Sequence, residues 1–349
     1  MTVAIDLPEE LQAAVETRLA AVDHGDVTRD VSALSDRYRA GTNRGRPLAR
    51  TRGDVLAYAA YRMPATFAAI SAALGAVREL RADWEPQTVL DVGSGLGAGL
   101  WAAAEVWPSL REATAVDAER EMIALGSELA AAAPSAAVRS STWARADITA
   151  SPLPVSTDLV LVSYVLGELD PSALDGVLEK AFAATEGTVV VVEPGTPRGY
   201  ANVIEARKTL LALGGTTTAP CPHDAPCPMS GGDWCHFAAR LPRSGMHRAA
   251  KGVTLGYEDE KFSYAAVSRE PTDRVAARIL RHPQVRGGHV YLELCTRDGL
   301  RTALVTKRDK ESFRRARKAR WGEAFDDGAG ATADRESELQ EGAPTADRE

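Results

Sequence analysis

Residues 89–103 of this 349-residue chain read VLDVGSGLGAGLWAA. An apolar run contains Asp91, three glycines follow at alternate positions (Gly93, Gly95 and Gly97), and an Ala- and Leu-rich stretch comes next. Glycine is needed where the backbone turns tightly and where a ligand approaches the main chain. The segment therefore predicts a strand, a ligand-binding turn and a helix in succession.

The same strand-then-helix rhythm continues beyond this segment. Short β-rich runs alternate with Ala- and Leu-rich helical stretches, at TVLDV (88–92), EATAVD (112–117), VRSSTWA (138–144), DLVLVSYV (158–165) and GTVVVVEP (187–194). Such alternation is typical of a mainly parallel sheet with helices on both faces. We therefore expect an α/β, Rossmann-like fold.

Two more acidic residues follow predicted strands and extend the candidate ligand site. Asp117 ends the second strand, where an acid can accept the hydroxyls of a ribose. Asp147 follows the third strand and could meet an adenine amino group, while Asp91 could meet an ammonium group. S-adenosylmethionine is favoured over a dinucleotide, because Ala98 stands where the last glycine of a dinucleotide turn would lie. Other nucleotide folds and an empty pocket remain alternatives.

The stretch after the fourth strand, SYVLGELD (163–170), gives no clear catalytic residue. It has neither the D/N-P-P-Y/F motif of amino methylation nor a cysteine. Glu168 could orient a methyl acceptor, or it could cap a helix. The sequence therefore leaves open whether the chain is an active S-adenosylmethionine-dependent methyltransferase.

All the cysteines lie in the C-terminal half, at Cys221, Cys227, Cys235 and Cys295. The first three have C-x5-C-x7-C spacing, and the fourth lies on a predicted strand. Four thiolates in a reducing compartment suit an iron–sulfur cluster or tetrahedral zinc. Because no C-x2-C pair occurs, a [4Fe–4S] cluster is favoured, with zinc and unrelated buried thiols as alternatives. His223 and His236 could replace a ligand or support one.

The formal net charge of −7 is unevenly distributed. Residues 325–349 hold eight acids and two bases, whereas residues 307–320 hold eight bases and two acids. With the basic segments 240–251 and 269–289, this pattern favours RNA binding over a merely solvated surface. Tyr257 and Tyr264 lie nearby and could stack on bases, although core packing is the better interpretation for Tyr264.

The pattern along the chain divides it into five parts. We expect a helical N-terminal region (1–83), a methyltransferase-like core (84–200), a Cys-rich metal-binding insertion (201–257), C-terminal strands with a basic helix (258–322) and a disordered acidic tail (323–349). Asp298-Gly299 predicts a β-hairpin turn in the fourth part. No run is apolar for long enough to cross a bilayer, and the N-terminus lacks signal-peptide features, so we expect a cytoplasmic monomer.

Six segments together resemble a known family. They are AYAAYRMPATFAA (57–69), LDVGSGLGAGLWAA (90–103), VLGEL (165–169), VEPGTPRGY (192–200), the cysteine block CPHDAPCPM (221–229) with DWCHF (233–237), and YEDEKFSYAAVSR (257–269). The chain resembles, over roughly residues 50–320, the methyltransferase-like small-ribosomal-subunit assembly proteins, which have mitochondrial and bacterial members.

The resemblance implies more than the residue patterns alone. It implies a factor that binds the nascent small subunit, contacts its rRNA and carries a [4Fe–4S] cluster. Cys221, Cys227, Cys235 and Cys295 match the family's ligand positions, and Asp91 and the three turn glycines match its cofactor loop. An active rRNA methyltransferase and a zinc-stabilised protein methyltransferase are the alternative functions.

Overall fold

The computed structural model describes residues 4–22, 29–31, 33, 51–153, 156–243 and 256–326. Several predicted features lie outside these residues: part of the helical N-terminal region, most of the basic segment 240–251, and almost all of the acidic tail. Residues 29–31 and 33 of the N-terminal region are helical. The chain divides into two units, Met1–Val275 and Ala276–Glu349.

Eight helices and eight strands of the first unit have described bounds. Its helices are α1 (Glu9–Leu19), α2 (Arg52–Tyr61), α3 (Met63–Leu80), α4 (Ala98–Val106), α5 (Arg120–Ala130), α6 (Ala136–Arg139), α7 (Leu174–Ala183) and α8 (Pro197–Ala212). Its strands are β1 (Thr88–Val92), β2 (Glu112–Asp117), β3 (Thr142–Arg145), β4 (Thr157–Ser163), β5 (Thr185–Pro194), β6 (Thr216–Ala219), β7 (Phe237–Pro242) and β8 (Tyr257–Ser268). Short 3₁₀ turns follow β4.

These strands form one eight-stranded sheet in the order β3-β2-β1-β4-β5-β8-β6, with β7 also paired to β8. The first five strands in that order are parallel. Strand β8 runs antiparallel to β5, β6 and β7. A mainly parallel sheet, whose strands are mostly connected by helices and which is extended by an antiparallel strand, confirms the predicted α/β, Rossmann-like fold.

Burial on both faces explains the apolar composition of the central strands. Residues 159–162 of β4 and 189–192 of β5 are entirely apolar and fully buried. One face packs on α7 and α8 through Leu178 and Leu210. Helix α3, from the predicted N-terminal helical region, packs on α4 and on the sheet. No helix in the described part of the chain is long and apolar enough to span a membrane.

Two elements differ from the expectations. The third strand is shorter than predicted, because residues 136–139 form a helical turn before Thr142. Strand β8, grouped from sequence with the C-terminal strands, belongs to the large sheet of the first unit. Its buried half, from Phe262 to Ser268, pairs with β5 over seven residues, a long-range pairing that local patterns do not reveal.

The second unit is a five-stranded sheet with one helix. Its elements are β9 (Ala277–Ile279), β10 (Gln284–Val285), β11 (His289–Thr296), β12 (Gly299–Thr306), α9 (Lys310–Lys318) and β13 (Ala324–Phe325). Strands β11 and β12 form the predicted hairpin, and Gly299 takes a φ of +118° at its turn. Phe313 and Ala316 of α9 pack on Leu292, Leu294 and Val305 of the sheet.

Candidate functional site

The glycine-rich turn joins β1 to α4 as the sequence predicts. Gly93, Gly95 and Gly97 have φ values of +71°, +53° and +78°, a region that L side chains rarely adopt. A Cβ atom on Gly93 would lie 2.5 Å from a methyl of Val165, and one on Gly97 would lie 2.8 Å from the Trp143 ring. Close packing therefore requires glycine at two of these positions.

The turn forms one wall of an open cleft at the carboxyl ends of β1, β2 and β4. Residues from four regions line it, including Asp91, Gly93, Gly95 and Asp117 among the predicted set. Gly97 lies behind the lining, at the N-cap of α4. Ligands of open α/β sheets bind at this edge, so the cleft is the candidate cofactor site.

Asp117 is tied to the glycine turn. Its carboxylate accepts hydrogen bonds from the backbone N–H groups of Gly95 and Glu119, each at 2.8 Å. Burial raises the pKa of Asp117. The bonds fix the carboxylate beside the cleft, in the place expected for an acid that binds a ribose.

Carboxyl groups dominate the electrostatics of the cleft, since Asp91, Asp117, Glu119 and Glu168 all line it. Burial, followed by the charge of Asp117, raises the pKa of Asp91 to about 7. Burial, followed by the charges of Asp117, Glu193 and Glu119, raises the pKa of Glu168 to about 8. These groups repel one another, so a cationic ligand would favour their ionised forms.

The residues fit S-adenosylmethionine, whose sulfonium and ammonium groups are cationic. The glycine turn leaves the backbone open at Gly95, where a Cβ atom would meet nothing within 4 Å. The buried hydroxyls of Ser94 and Ser163 line the cleft and have no hydrogen-bond partner within the described part of the chain. A ligand with hydroxyl, amino and carboxylate groups would satisfy them.

Several lining residues were missed from the sequence, notably Tyr58, Thr66 and Tyr164. Tyr164 has a φ of +58°, which is uncommon for a residue other than glycine. Its hydroxyl lies 3.1 Å from the carboxylate of Glu260 on β8, which also faces Arg62 at 3.5 Å. Only the long-range placement of β8 and the N-terminal helices brings these groups to the cleft.

Asp147 and Glu193 lie outside the cleft lining. The Asp147 side chain is exposed. It accepts hydrogen bonds from the backbone N–H and the hydroxyl of Thr149, and these bonds stabilise the turn at residues 147–149. The buried Glu193 accepts hydrogen bonds from the N–H groups of Leu166 and Gly167 and from Asn202. Burial raises the pKa of Glu193 to about 7. Glu193 thereby supports the turn that carries Glu168.

The loop between β6 and β7 carries Cys221, Cys227 and Cys235, all partly exposed. The hydroxyl of Tyr200, on α8, lies 3.2 Å from the Sγ atom of Cys227. Burial, that bond and the nearby charges of Cys227, Cys235 and Cys221 all raise the pKa of Tyr200. Tyr200 therefore contacts one of the three thiols of this loop, and soft sulfur donors of this kind fit iron or zinc.

Buried contacts hold this loop against the first unit. Arg207 of α8 is 4% exposed and donates to the carbonyl oxygens of His223 and Ala225. The Nδ1 atoms of His223 and His236 lie 3.1 Å from the carbonyl oxygens of Ala225 and Trp234. Both histidines thus contact the loop backbone.

Cys295, the fourth predicted ligand, is buried on β11 of the second unit. Within the ranges that the structure describes, no group of three or more His, Cys, Asp or Glu residues is arranged to hold a metal ion. Metal binding by the four cysteines therefore stays a prediction.

The family model of the mitochondrial small ribosomal subunit protein Rsm22 matches residues 52–326. This chain belongs to the Rsm22 family. The resemblance seen in the sequence motifs is thereby confirmed. The Rsm22 match includes the cleft, the cysteine loop and the whole described second unit, and it ends where the acidic tail begins.

Two relatives and one solved structure illustrate the similarity. The human mitochondrial ribosome assembly protein METTL17 is 29% identical over 90% of this chain and 73% of its own length. Rsm22-cox11 tandem protein 2 of Schizosaccharomyces pombe, also mitochondrial, is 25% identical over 78% of this chain and 43% of its own length. Magnesium protoporphyrin IX methyltransferase from Synechocystis superposes with a TM-score of 0.39 at 13% identity, over 72% of this chain and 99% of that chain.

Proposed function

We propose that this protein is an assembly factor of the small ribosomal subunit and binds the subunit's rRNA. The observation that carries the proposal is the Rsm22 match over residues 52–326, which includes every candidate site. A relative that aligns with 90% of the chain is named a ribosome assembly protein. We further propose that it acts as a cytoplasmic monomer.

S-adenosylmethionine is the proposed ligand of the cleft. Asp117 would accept its ribose hydroxyls, and Asp91 would face its cationic groups beside the glycine turn. When bound, this cofactor supplies an electrophilic methyl group. The chain's own contribution is to orient the ligand with carboxylates and main-chain groups and to shield it with Tyr58 and Tyr164, which line the cleft.

A [4Fe–4S] cluster is the proposed occupant of the cysteine loop. Cys221, Cys227 and Cys235 would bind it, and Cys295 is the fourth ligand that the sequence resemblance predicts. The proposed role is structural, because a metal that binds only the folded loop stabilises that fold. Zinc is the alternative occupant of this loop. With zinc bound, the alternative function is that of a zinc-stabilised protein methyltransferase.

An active rRNA methyltransferase is the second candidate function. The observation that favours it is the position of Glu168, whose carboxyl lines the cleft with a pKa raised to about 8 by burial and neighbouring acids. A carboxylate whose pKa is raised into this range can accept the proton that a methyl acceptor loses, because a general base works best with a pKa near the operating pH.

Co-sedimentation with purified small-subunit precursor particles tests the assembly function. We expect the full chain to travel with immature particles and to leave mature 70S ribosomes unbound. A parallel incubation with radiolabelled S-adenosylmethionine separates the two functions, since label in rRNA supports the methyltransferase. Failure to bind any small-subunit particle would overturn the assembly proposal.

Anaerobic purification with iron, sulfide and zinc analysis tests the metal proposal. We expect about four irons and four sulfides per chain, retained in the exposed-loop control Ser230→Ala and lost in Cys227→Ser. A content of one zinc per chain, with no visible absorption band, would show that zinc occupies the site in place of a cluster. Metal-free protein under strict anaerobic handling would overturn both forms of the site.

A further inference from the structure

The two units carry opposite charges. Residues 276–326 hold 13 Lys and Arg against six Asp and Glu, a net charge of +7 in a chain whose total is −7. Residues 1–275 hold 26 Lys and Arg against 35 Asp and Glu, a net charge of −9. The net charge therefore favours the second unit over the first as the part that attracts a polyanion.

Most of the described arginines of the other two segments are engaged within the protein. Arg240 forms a two-point ion pair with Asp259, with both N–O distances at 2.7 Å, and its guanidinium lies 4.1 Å from the Tyr257 ring centroid. Arg243 forms an ion pair with Glu258 at 3.2 Å. The described part of the 240–251 segment thus has its cations neutralised by β8.

Three arginines of the 269–289 segment also have structural partners, whereas Arg286 is exposed. Arg269 donates to the carbonyl oxygens of Thr185 and Phe182 at the end of α7. Arg274 forms an ion pair with Asp224 of the cysteine loop. Arg278 is 2% exposed and donates to the carbonyl oxygen of Gly322 at 2.9 Å. These side chains stabilise the fold and are poorly available to a polyanion.

Helix α9 differs, because its cations face solvent. Ser312, Phe313 and Ala316 face the core, whereas all six other residues of the helix are exposed and charged. Arg314 and Lys318, one turn apart at the centre of the exposed face, form no hydrogen bond or ion pair with any residue that the structure describes. Asp309 caps the helix by accepting from the N–H groups of Glu311 and Ser312.

The chemistry of this face distinguishes RNA from a protein partner. Protein interfaces place aromatic and apolar side chains at their centre and few charges. The exposed face of α9 has no apolar side chain, and five of the eight cations in residues 307–320 are arginines, whose forked guanidinium matches phosphate. A phosphate backbone is the partner that needs only charge and hydrogen-bond donors.

We propose that the exposed face of α9, centred on Arg314 and Lys318, binds the phosphate backbone of double-helical RNA without reading its sequence. This inference rests on the proposed rRNA-binding function and assigns that function to one surface. Lys307, Arg308 and Lys310 extend the same surface at the N-terminal end of the helix.

Fluorescence anisotropy with the full chain and a 30-base-pair RNA duplex of random sequence tests the surface over a range of KCl concentrations. We expect Arg314→Ala/Lys318→Ala to bind more weakly at every concentration, with a slope of log K against log [KCl] that is shallower by about 2. Arg78→Ala/Lys208→Ala removes the same charge from exposed positions of the first unit and should bind as wild type does. Arg314→Lys/Lys318→Arg keeps the charge and should also bind as wild type does.

Equal binding by Arg314→Ala/Lys318→Ala and wild type would overturn the inference, as would an equal loss in the first-unit control. If Arg314→Ala/Lys318→Ala binds the duplex normally but no longer binds the particle, the partner of α9 is a ribosomal protein and not RNA. The particle assay separates this inference from the assembly function. If wild type binds no particle, the proposed assembly function is contradicted. If wild type and the α9 variant bind particles equally, only the assignment of RNA binding to the exposed face of α9 is contradicted.

Discussion

The hydroxyl of Tyr200 lies 3.2 Å from the Sγ atom of Cys227, although the two residues come from different elements. Tyr200 belongs to α8, which packs on the large sheet, and Cys227 belongs to the loop after β6. The contact therefore links the candidate metal loop to the rigid part of the first unit.

Tyr200→Phe should lower the reduction potential of the proposed cluster without removing it. A hydrogen bond to a ligand sulfur stabilises the more negatively charged reduced state, so its loss favours the oxidised state. A redox titration followed by electron paramagnetic resonance measures the change, with the exposed Tyr291→Phe as control. An unchanged potential in a Tyr200→Phe protein of full iron content would contradict a bond to the cluster's ligand.

Arg207→Gln should reduce the metal content, although Arg207 is no ligand. Its guanidinium holds the carbonyl oxygens of His223 and Ala225 from a buried position. The shorter amide would leave buried polar groups unsatisfied, which costs about 1–3 kcal/mol in the free energy of unfolding. Metal analysis and urea denaturation measure both effects. The adjacent, exposed Lys208→Gln should behave as wild type, and equal metal loss in both variants would refute the explanation.

Gly93→Ala should destabilise the protein more than Gly95→Ala. Both residues have positive φ, which costs a residue with a Cβ atom about 1–2 kcal/mol. At Gly93 the new methyl would also lie 2.5 Å from Val165, whereas at Gly95 it meets no atom within 4 Å. Urea denaturation gives the two free energies of unfolding. If the two variants lose equal stability, close packing against Val165 is not the reason for glycine at position 93.

The affinity for S-adenosylmethionine should rise with pH through the range 7–8. Asp91 and Glu168 have pKa values of about 7 and about 8 in the cleft, raised first by burial, so both are largely protonated at pH 6. A cationic ligand binds their ionised forms, and binding therefore releases protons. Isothermal titration calorimetry from pH 6 to 9 gives Kd. Glu168→Gln should remove the upper part of the rise, and a Kd that increases with pH would contradict the scheme.

The raised pKa of Asp91 makes the free energy of unfolding fall as pH rises, whereas the affinity for S-adenosylmethionine rises. Asp91 is 2% exposed, and its folded-state pKa of about 7 lies above its ordinary value of 3.8. Its contribution to stability is fully present below pH 3.8 and is lost as pH rises through about 7, because the unfolded chain ionises first. The free energy of unfolding of Asp91→Asn, measured in the absence of ligand, should thus depend less on pH than that of wild type over this interval.

Local patterns were sufficient to predict the features that depend on neighbouring residues. The turn at Gly93–Gly97, the parallel strands and the hairpin at Gly299 all follow from periodicity or from a required φ angle. The burial of Tyr264 against Phe237 and Phe262 agrees with the expected core role.

Long-range features were less predictable, for a physical reason. The choice of β8 as the partner of β5 depends on residues that are 68 to 80 positions apart, and it brings Glu260 to Tyr164. The position of Asp147 after a strand suggested a ligand contact, and its carboxylate accepts hydrogen bonds from Thr149 two residues away. Its contact with a ligand stays a prediction. The sequence pattern alone does not show that Thr149 donates hydrogen bonds to the Asp147 carboxylate.

The pairing of β8 also sets an order of events during synthesis. This strand pairs with β5, β6 and β7, so these three strands complete their antiparallel pairing only after residue 268 has left the ribosomal tunnel. The three cysteines at 221–235 emerge before that moment, between two strands that still lack their partner. The loop that carries them can therefore take its final position only once β8 has joined the sheet.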